Sequence, residues 1–341
     1  MADKSPTLRT IAGISGLAVT TVSRAMADDP QIARDTREVV QKIAREIGYA
    51  PDRAAQRLRT GKTNVIALML NPHDEVLGFG TSIIRGINTA LRGTPYHLVI
   101  LPQFEEQPGN DEVDRIVRNR LADGVIFSRT EPSDQRVRYL LEKGFPFISH
   151  GRTELATAHP YVDFDNFAFA RKAAQSLIAS GARHIGLLLP PRRFTFANHL
   201  LHGFMSVIHE TGMQHEILEG ITLDSPSDTI VRWMGDRLSA RPPLDGLICP
   251  GEVSGLAAMA AAADCGLVPG RDIHLAVKQT SGIFDLVRPK MLSLYENLTE
   301  AGFYLGERLL RRIEGAPAES CQFLQPLPDD TAPPSFQPDR A

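Results

Sequence analysis

From residue 63 to about residue 325, short apolar runs alternate with helix-patterned stretches, and no other feature constrains the fold as strongly. Runs such as Val65–Leu70, His97–Leu101, Gly124–Phe127, Phe147–Ser149, His184–Leu189 and Gly246–Cys249 have strand length and read as buried strands. Ile273–Val277, Met291–Tyr295 and Cys321–Gln325 read the same way. Between them the spacing predicts helices. The first spans about Thr81–Leu91, with Ile83, Ile84, Ile87 and Leu91 as its apolar stripe. Others fall near Val113–Arg120, Val137–Lys143, Asn166–Ser180, Leu200–Glu210, Val253–Cys265 and Thr299–Glu314. Strand–helix alternation implies parallel sheets with helices on both faces. The plan runs twice, so two α/β halves should leave a cleft at the carboxyl ends of their strands, where small ligands bind.

The first 62 residues follow another rule. Thr7 is a possible N-cap, Leu8, Ile11 and Ala12 form a helical stripe, and Gly16 ends it. A short turn leads to Val19–Met26, where Val22, Ala25 and Met26 share one face and Thr20, Thr21, Ser23 and Arg24 lie elsewhere. Two short helices about a tight turn, the second polar and basic outside, describe a helix-turn-helix. The guanidinium of Arg24 suits guanine O6/N7 in a major groove, and Thr and Ser hydroxyls suit phosphates. A third helix, about Asp35–Ile47, should close a three-helix core through Val39, Val40, Ile43, Ala44 and Ile47, with Arg37, Lys42 and Arg45 solvated. After Pro51, Asp52 can cap a short helix from Arg53 to Arg59. Its Leu58 either wedges between base steps of a minor groove, with arginines on the phosphates, or packs on the body as part of a linker.

Charge divides at the same place. The chain carries −3 overall, but residues 1–62 hold 11 Lys/Arg against 7 Asp/Glu, or +4, leaving −7 on the remainder. A basic head on an acidic body suits a polyanion partner for the head.

The string Thr7-Leu8-x-x-Ile11-Ala12-x-x-x-Gly16-Leu17-Ala18-x-x-Thr21-Val22-Ser23-Arg24, followed by Thr36-Arg37 and Gly48-Tyr49-x-Pro51, resembles the lactose-repressor (LacI/GalR) family of transcriptional regulators. By this resemblance Val19, Thr20 and Arg24 match base-reading positions, and Thr7, Thr21 and Ser23 match phosphate contacts. Ala55 and Leu58 match the hinge helix that enters the minor groove at the operator centre. The body then corresponds to a periplasmic-binding-protein-like effector domain. Two helix caps usual in the family are lost: Leu17-Ala18 replaces Val-Ser, and Ala33 replaces Ser before the third helix.

The expected architecture is an all-α helix-turn-helix head (1–50), a hinge or linker (51–62), an α/β body of two parallel-sheet subdomains (63–328) and a loose Pro/Asp-rich tail (329–341). Strand ends supply candidate effector contacts: Phe79, Ser128, Arg152, Phe196 and Asn198. Aromatic faces against C–H groups, with Asn, Ser and Arg on hydroxyls, suit a sugar or polyol. The resemblance also exposes departures. Leu200 stands where relatives carry Arg, Pro250-Gly251-Glu252 replaces Ala-Asn-Asp, and Val277-Lys278-Gln279-Thr280 replaces Gly-Phe/Tyr-Asp-Asp. Glu252, Lys278, Gln279 and Glu296 are therefore added as contacts, and Lys278 with Arg152 leaves a phosphosugar or sugar acid open.

Other chemistry finds little support. Asp165 of the Asp163/Asp165 pair is a natural N-cap, and Asp163 resembles a family position at the subdomain crossover. His199 and His202 lack further ligands for a metal, and no P-loop, Gly-x-Ser-x-Gly or Gly-x-Gly-x-x-Gly motif occurs. No cofactor is expected. Three cysteines without metal spacing suit a reducing compartment. With no apolar leader and no membrane-length apolar run, a cytoplasmic location off the membrane is expected. The resemblance implies a homodimer on a pseudo-palindromic operator, without the lactose repressor's tetramerisation helix, repressing carbohydrate genes until a sugar-like effector binds. Corepression by the ligand, or an enzyme acting on a sugar or nucleotide with a DNA-binding head, are the rival readings.

Overall fold

In the computed structural model, which describes residues 6–50, 57, 61–71, 78–103 and 109–328, Thr7 caps the first helix as its position implies. Its hydroxyl accepts from Thr10 N–H at 3.3 Å, and the Thr10 hydroxyl accepts from Thr7 N–H at 3.1 Å. Helix α1 (Leu8–Ser15) stops at Gly16, whose φ of 68° is left-handed and favours glycine. Helices α2 (Val19–Met26) and α3 (Arg34–Glu46) follow. Neither Ala18 nor Ala33 provides a side-chain cap, in keeping with the two family departures. Ile11, Val22, Ala25, Val40 and Ala44 are the buried core of this unit. Val39, expected on the inner face of α3, is instead 53% exposed. The neighbouring Val40 takes the core position, because residues adjacent on a helix point about 100° apart.

The chain divides into two compact units at the Thr63–Asn64 junction. The second contains eleven named strands among the described residues: β1 (Val65–Leu70), β2 (His97–Pro102), β3 (Gly124–Ser128), β4 (Phe147–His150), β5 (Tyr161–Phe164), β6 (His184–Leu187), β7 (Gln214–Ile217), β8 (Gly246–Cys249), β9 (His274–Gln279), β10 (Leu292–Tyr295) and β11 (Gln322–Gln325). They form two sheets, ordered β11-β5-β4-β3-β1-β2 and β10-β9-β8-β6-β7. Every pairing is parallel, as the alternation implied. The helices are α4 (Phe79–Leu91), α5 (Gly109–Arg118), α6 (Gln135–Glu142), α7 (Asn166–Ala179), α8 (Thr195–Thr211), α9 (Ser227–Ser239), α10 (Glu252–Asp264) and α11 (Leu298–Ile313). Strands β5 and β7 and helix α9 went unread in the sequence. Asp163 interrupts the apolar run of β5, and β7 is a largely polar edge strand.

The chain passes between the sheets at β5–α7 and β10–α11, and β11 returns to pair with β5 in the first sheet. The helix pair α4 and α11 meets backbone to backbone. A Cβ on Gly302 would lie 2.3 Å from the Ile83 carbonyl oxygen, and one on Gly86 would lie 2.1 Å from that of Thr299. Among the described residues, no helix is long and apolar enough to cross a membrane.

Candidate DNA-reading helix and ligand cleft

Helix α2 buries Val22 and Ala25 and turns its other side outward. Val19 is 40% exposed, Thr20 is exposed, and Thr21 and Ser23 are half-buried. The Arg24 side chain keeps 46% of its surface, although its Nε donates to Asp29 Oδ2 at 2.8 Å and its Nη2 donates to Gln31 Oε1. Arg37 is not simply solvated: it bonds the Asp28 carboxylate at 2.7 Å and its carbonyl at 3.1 Å. Ala55 and Leu58, the candidate hinge residues, lie outside the described residues, as does the 329–341 tail. Nearby, Gly61 N–H donates to the Arg57 carbonyl at 2.8 Å.

In the second unit a cavity of about 100 Å³ opens at the carboxyl ends of both sheets. It brings together six of the nine candidate contacts: Phe79, Ser128, Arg152, Phe196, Lys278 and Glu296. Three candidates are engaged elsewhere. Glu252 is fully buried and spends both oxygens on the backbone and hydroxyls of Thr280 and Ser281, at 2.7–3.0 Å. Gln279 bonds Ser293, Asp285 and Phe284 N–H. It follows Lys278 on β9, and successive strand residues face opposite sides, so only one of the two can reach the cavity. Asn198 lies outside the cavity lining, donating to Glu154 Oε1 at 3.0 Å.

Several lining residues were not among the candidates: Arg129, Thr130, His150, Gly151, Asp163, Asn166, Leu223, Asp224, Pro250 and Leu298. Five of them, Arg129, Thr130, His150, Gly151 and Pro250, follow the strand ends at Phe127, Ser149 and Cys249 read from the sequence. The strand-end loop after β3 is held by buried Arg136, which donates to the carbonyls of Ser128 and Arg129 and stacks over Phe127. Burial alone would raise the Asp134 carboxyl, but the hydrogen bonds and charge of Arg136 outweigh it and hold that carboxyl below its ordinary value. Gly151 has a φ of 110°, and a Cβ there would meet the Thr130 hydroxyl at 2.6 Å, so the turn after β4 requires glycine.

Each fixed cation lining the cavity faces a carboxylate. Arg129 makes a two-pronged pair with Asp224 and covers the Phe194 ring at 4.2 Å. Lys278 bonds Glu296 at 2.7 Å and Asn166 Oδ1 at 3.1 Å. Arg152 Nε lies 3.3 Å from Asp163 Oδ2. Burial pushes the Asp163 carboxyl up to about 7, against the lowering effect of Arg152. Burial pushes His150 down, and burial with the Arg152 charge pushes His199 down to about 4, so both rings are neutral at pH 7. Asp163 Oδ2, His150 Nε2 and His199 Nδ1 are buried without a hydrogen-bond partner. His150 Nε2 stands 3.8 Å from Glu296 Oε1, and His199 Nδ1 stands 3.9 Å from Asp163 Oδ2. Phe196, stacked on Phe194 at 5.9 Å, and Phe79 supply aromatic surface. Orphaned polar atoms, aromatic faces and internally neutralised charge together suit a ligand that both donates and accepts hydrogen bonds without net charge.

Comparison with known proteins agrees on both units. The model of the bacterial regulatory proteins of the lacI family matches residues 7–52, and that of the periplasmic binding protein-like domain matches residues 174–328. The HTH-type transcriptional regulator RafR of Escherichia coli is 28% identical over 319 residues, covering 92% of this chain and 94% of its own. The HTH-type transcriptional regulator CelR of Thermobifida fusca is 26% identical over 326 residues, covering 94% and 96%. Among solved structures, the lac repressor dimer bound to operator and the anti-inducer ONPF superposes with a TM-score of 0.80 at 20% identity, over 95% of this chain and 97% of its own. A CelR–cellobiose complex gives 0.65 at 24% identity, over 94% and 97%.

Proposed function

The chain belongs to the lacI family of bacterial regulatory proteins, and on that premise we propose that it is a cytoplasmic, homodimeric repressor of carbohydrate genes, relieved when a neutral sugar or polyol fills the cleft of its body. The observation that carries the DNA-binding half is the capped α1, the left-handed Gly16 turn and an α2 whose Val19, Thr20 and Arg24 stay exposed. Such a helix can enter a major groove, with Thr7, Thr21 and Ser23 toward the phosphates and the segment around Ala55 and Leu58 toward the minor groove. Two-fold protein symmetry calls for a pseudo-palindromic operator.

The ligand half rests on the cavity. An anionic ligand would have to compete with Asp163, Asp224 and Glu296 for cations already paired, whereas hydroxyl groups can satisfy Asp163 Oδ2 and His150 Nε2 without displacing a charge. The cellobiose bound by the related CelR is a ligand of this kind. Ligand binding then changes the angle between the two subdomains, and effector and operator affinities are reciprocally linked. In this reading the cleft releases its ligand unchanged, and turnover of a bound sugar would overturn it.

The test combines two measurements on the full chain. Selection from a random duplex library should enrich a two-fold sequence; failure to enrich any sequence refutes the DNA-binding half. A thermal-shift screen of neutral sugars, polyols and phosphosugars should show stabilisation by a neutral member, about 2.7 kcal/mol at a hundredfold excess over Kd. That ligand should weaken binding to the selected DNA. Stabilisation by phosphosugars alone refutes the neutral-ligand half, and tighter DNA binding would mean corepression.

A further inference from the structure

The Arg24 guanidinium is not free to choose how it meets a base. A guanidinium has two edges that can each present a pair of N–H groups: the side edge of Nε and Nη2, and the end edge of Nη1 and Nη2. Here the side edge is taken. Nε donates to Asp29 Oδ2 at 2.8 Å and Nη2 donates to Gln31 Oε1. The acceptors are themselves held in place. Asp29 Oδ1 accepts from Gln31 N–H at 2.9 Å, Asp29 N–H donates to the Arg24 carbonyl at 3.1 Å, and Ile32 N–H closes the turn on the Asp29 carbonyl at 3.0 Å. The hydrogen bond from Arg24 also holds the Asp29 carboxyl below its ordinary value, so it stays ionised. The side chain nevertheless keeps 46% of its surface open.

We infer that Asp29, assisted by Gln31, is a positioning residue for DNA reading: it clamps the side edge of Arg24 so that the end edge alone is offered to guanine O6 and N7. Such preorganisation removes rotamer entropy that an unrestrained arginine would lose on binding. The device has an opposing effect, since a carboxylate near the duplex repels phosphates whatever their sequence. Asp29 therefore exchanges general affinity for discrimination. This inference rests on α2 being the recognition helix.

The two effects carry opposite signs, which gives the test its power. Duplexes are selected from a random library with full-length wild type, Arg24→Ala, Asp29→Asn, Asp29→Ala and Gln31→Ala, and affinity is also measured on fixed random-sequence DNA. Arg24→Ala should erase preference at one position of each half-site. Asp29→Ala should weaken preference at that same position, on the order of 3- to 10-fold, while binding random DNA as tightly as wild type or more tightly. Asp29→Asn, which keeps an acceptor, and Gln31→Ala should fall between. A uniform loss across all sequences in the Asp29 variants, or an unchanged preference, overturns the inference while leaving the recognition helix intact. An unchanged preference in Arg24→Ala overturns the recognition-helix reading itself, and the inference with it.

Discussion

Asp163 offers a sharp test of the cleft's electrostatics. Its side chain is 6% exposed, its Oδ2 has no hydrogen-bond partner, and burial lifts its carboxyl to about 7 despite Arg152 at 3.3 Å. In the unfolded chain the same group ionises near 3.8. The folded state therefore holds a proton that the unfolded state has released. The resulting stabilisation is fully present below about pH 4 and is lost as pH rises toward 7, by about 1.4 kcal/mol per pH unit. Between pH 5 and pH 8 the loss amounts to about 3 kcal/mol, since it stops once the folded group ionises. Asp163→Asn keeps the shape and removes the titration. Denaturant unfolding of both proteins at pH 5, 6, 7 and 8 gives the comparison. Most of the neutralised histidines' opposing pH dependence is shared by both proteins and drops out of the difference. The variant should gain on wild type by about 3 kcal/mol across that range. If wild type instead gains with rising pH, the Arg152 pair outweighs burial and the argument fails. A difference that does not vary with pH refutes it equally.

Other expectations follow from named contacts. Lys278→Met leaves the Glu296 carboxylate buried and unpaired and should destabilise by about 3–5 kcal/mol in denaturant unfolding. The double variant Lys278→Met, Glu296→Gln should recover most of that loss, and no recovery would mean that the pair is not the cause. Gly302→Ala puts a methyl 2.3 Å from the Ile83 carbonyl and should cost about 1–3 kcal/mol by prising α4 from α11, whereas an unchanged midpoint would show that the helices part freely. Leu58→Ala should lower operator affinity and bending, and unchanged bending by gel mobility counts against the wedge. Asn198→Ala removes the bond to Glu154 across the cleft and should change effector and operator affinities in opposite directions, so a change in one alone refutes a shared two-state equilibrium.

What the sequence discloses depends on how local the cause is. Thr7 and Asp165 cap their helices because the hydroxyl or carboxylate reaches N–H groups only three residues away, so both were legible. The parallel sheets were legible because burial on both faces demands uninterrupted apolar strands. Six cleft residues were legible because strand ends in such folds converge on one place. The placement of Glu252 was not. It sits at a strand end like the others, but the loop at Thr280–Ser281 folds against it and takes both its oxygens, a pairing 28 residues distant that no local pattern announces. His150 was legible as a strand end, but what it shares with Asp163 was not: each keeps one buried polar atom, Nε2 and Oδ2, without a hydrogen-bond partner, and that is a property of packing rather than of spacing.

Coupling the cleft to a distant event requires residues that answer both to a ligand and to the geometry of the subdomains, and two carboxylates meet that demand. Glu296 lines the cavity and is tied to Lys278 of the five-stranded sheet. The next residue, Asn297, accepts from Glu300 N–H at 3.1 Å to start α11, which packs on the six-stranded sheet. Asp163 mirrors it. It lies in β5 of the six-stranded sheet, two residues before Asp165 starts α7 against the other sheet. A ligand bonded to both therefore touches two crossovers, one from each side. Among the described residues, further polar bridges across the cleft are Arg129 to Asp224, Arg152 to His199, Thr195 to the Thr130 carbonyl, and Asn198 to Glu154. A net hydrogen bond contributes about 0.5–1.5 kcal/mol, and allosteric couplings are typically about 1–3 kcal/mol. Gaining or losing one to three such bonds is therefore enough for a ligand to set the operator affinity, and no rearrangement of either hydrophobic core is required.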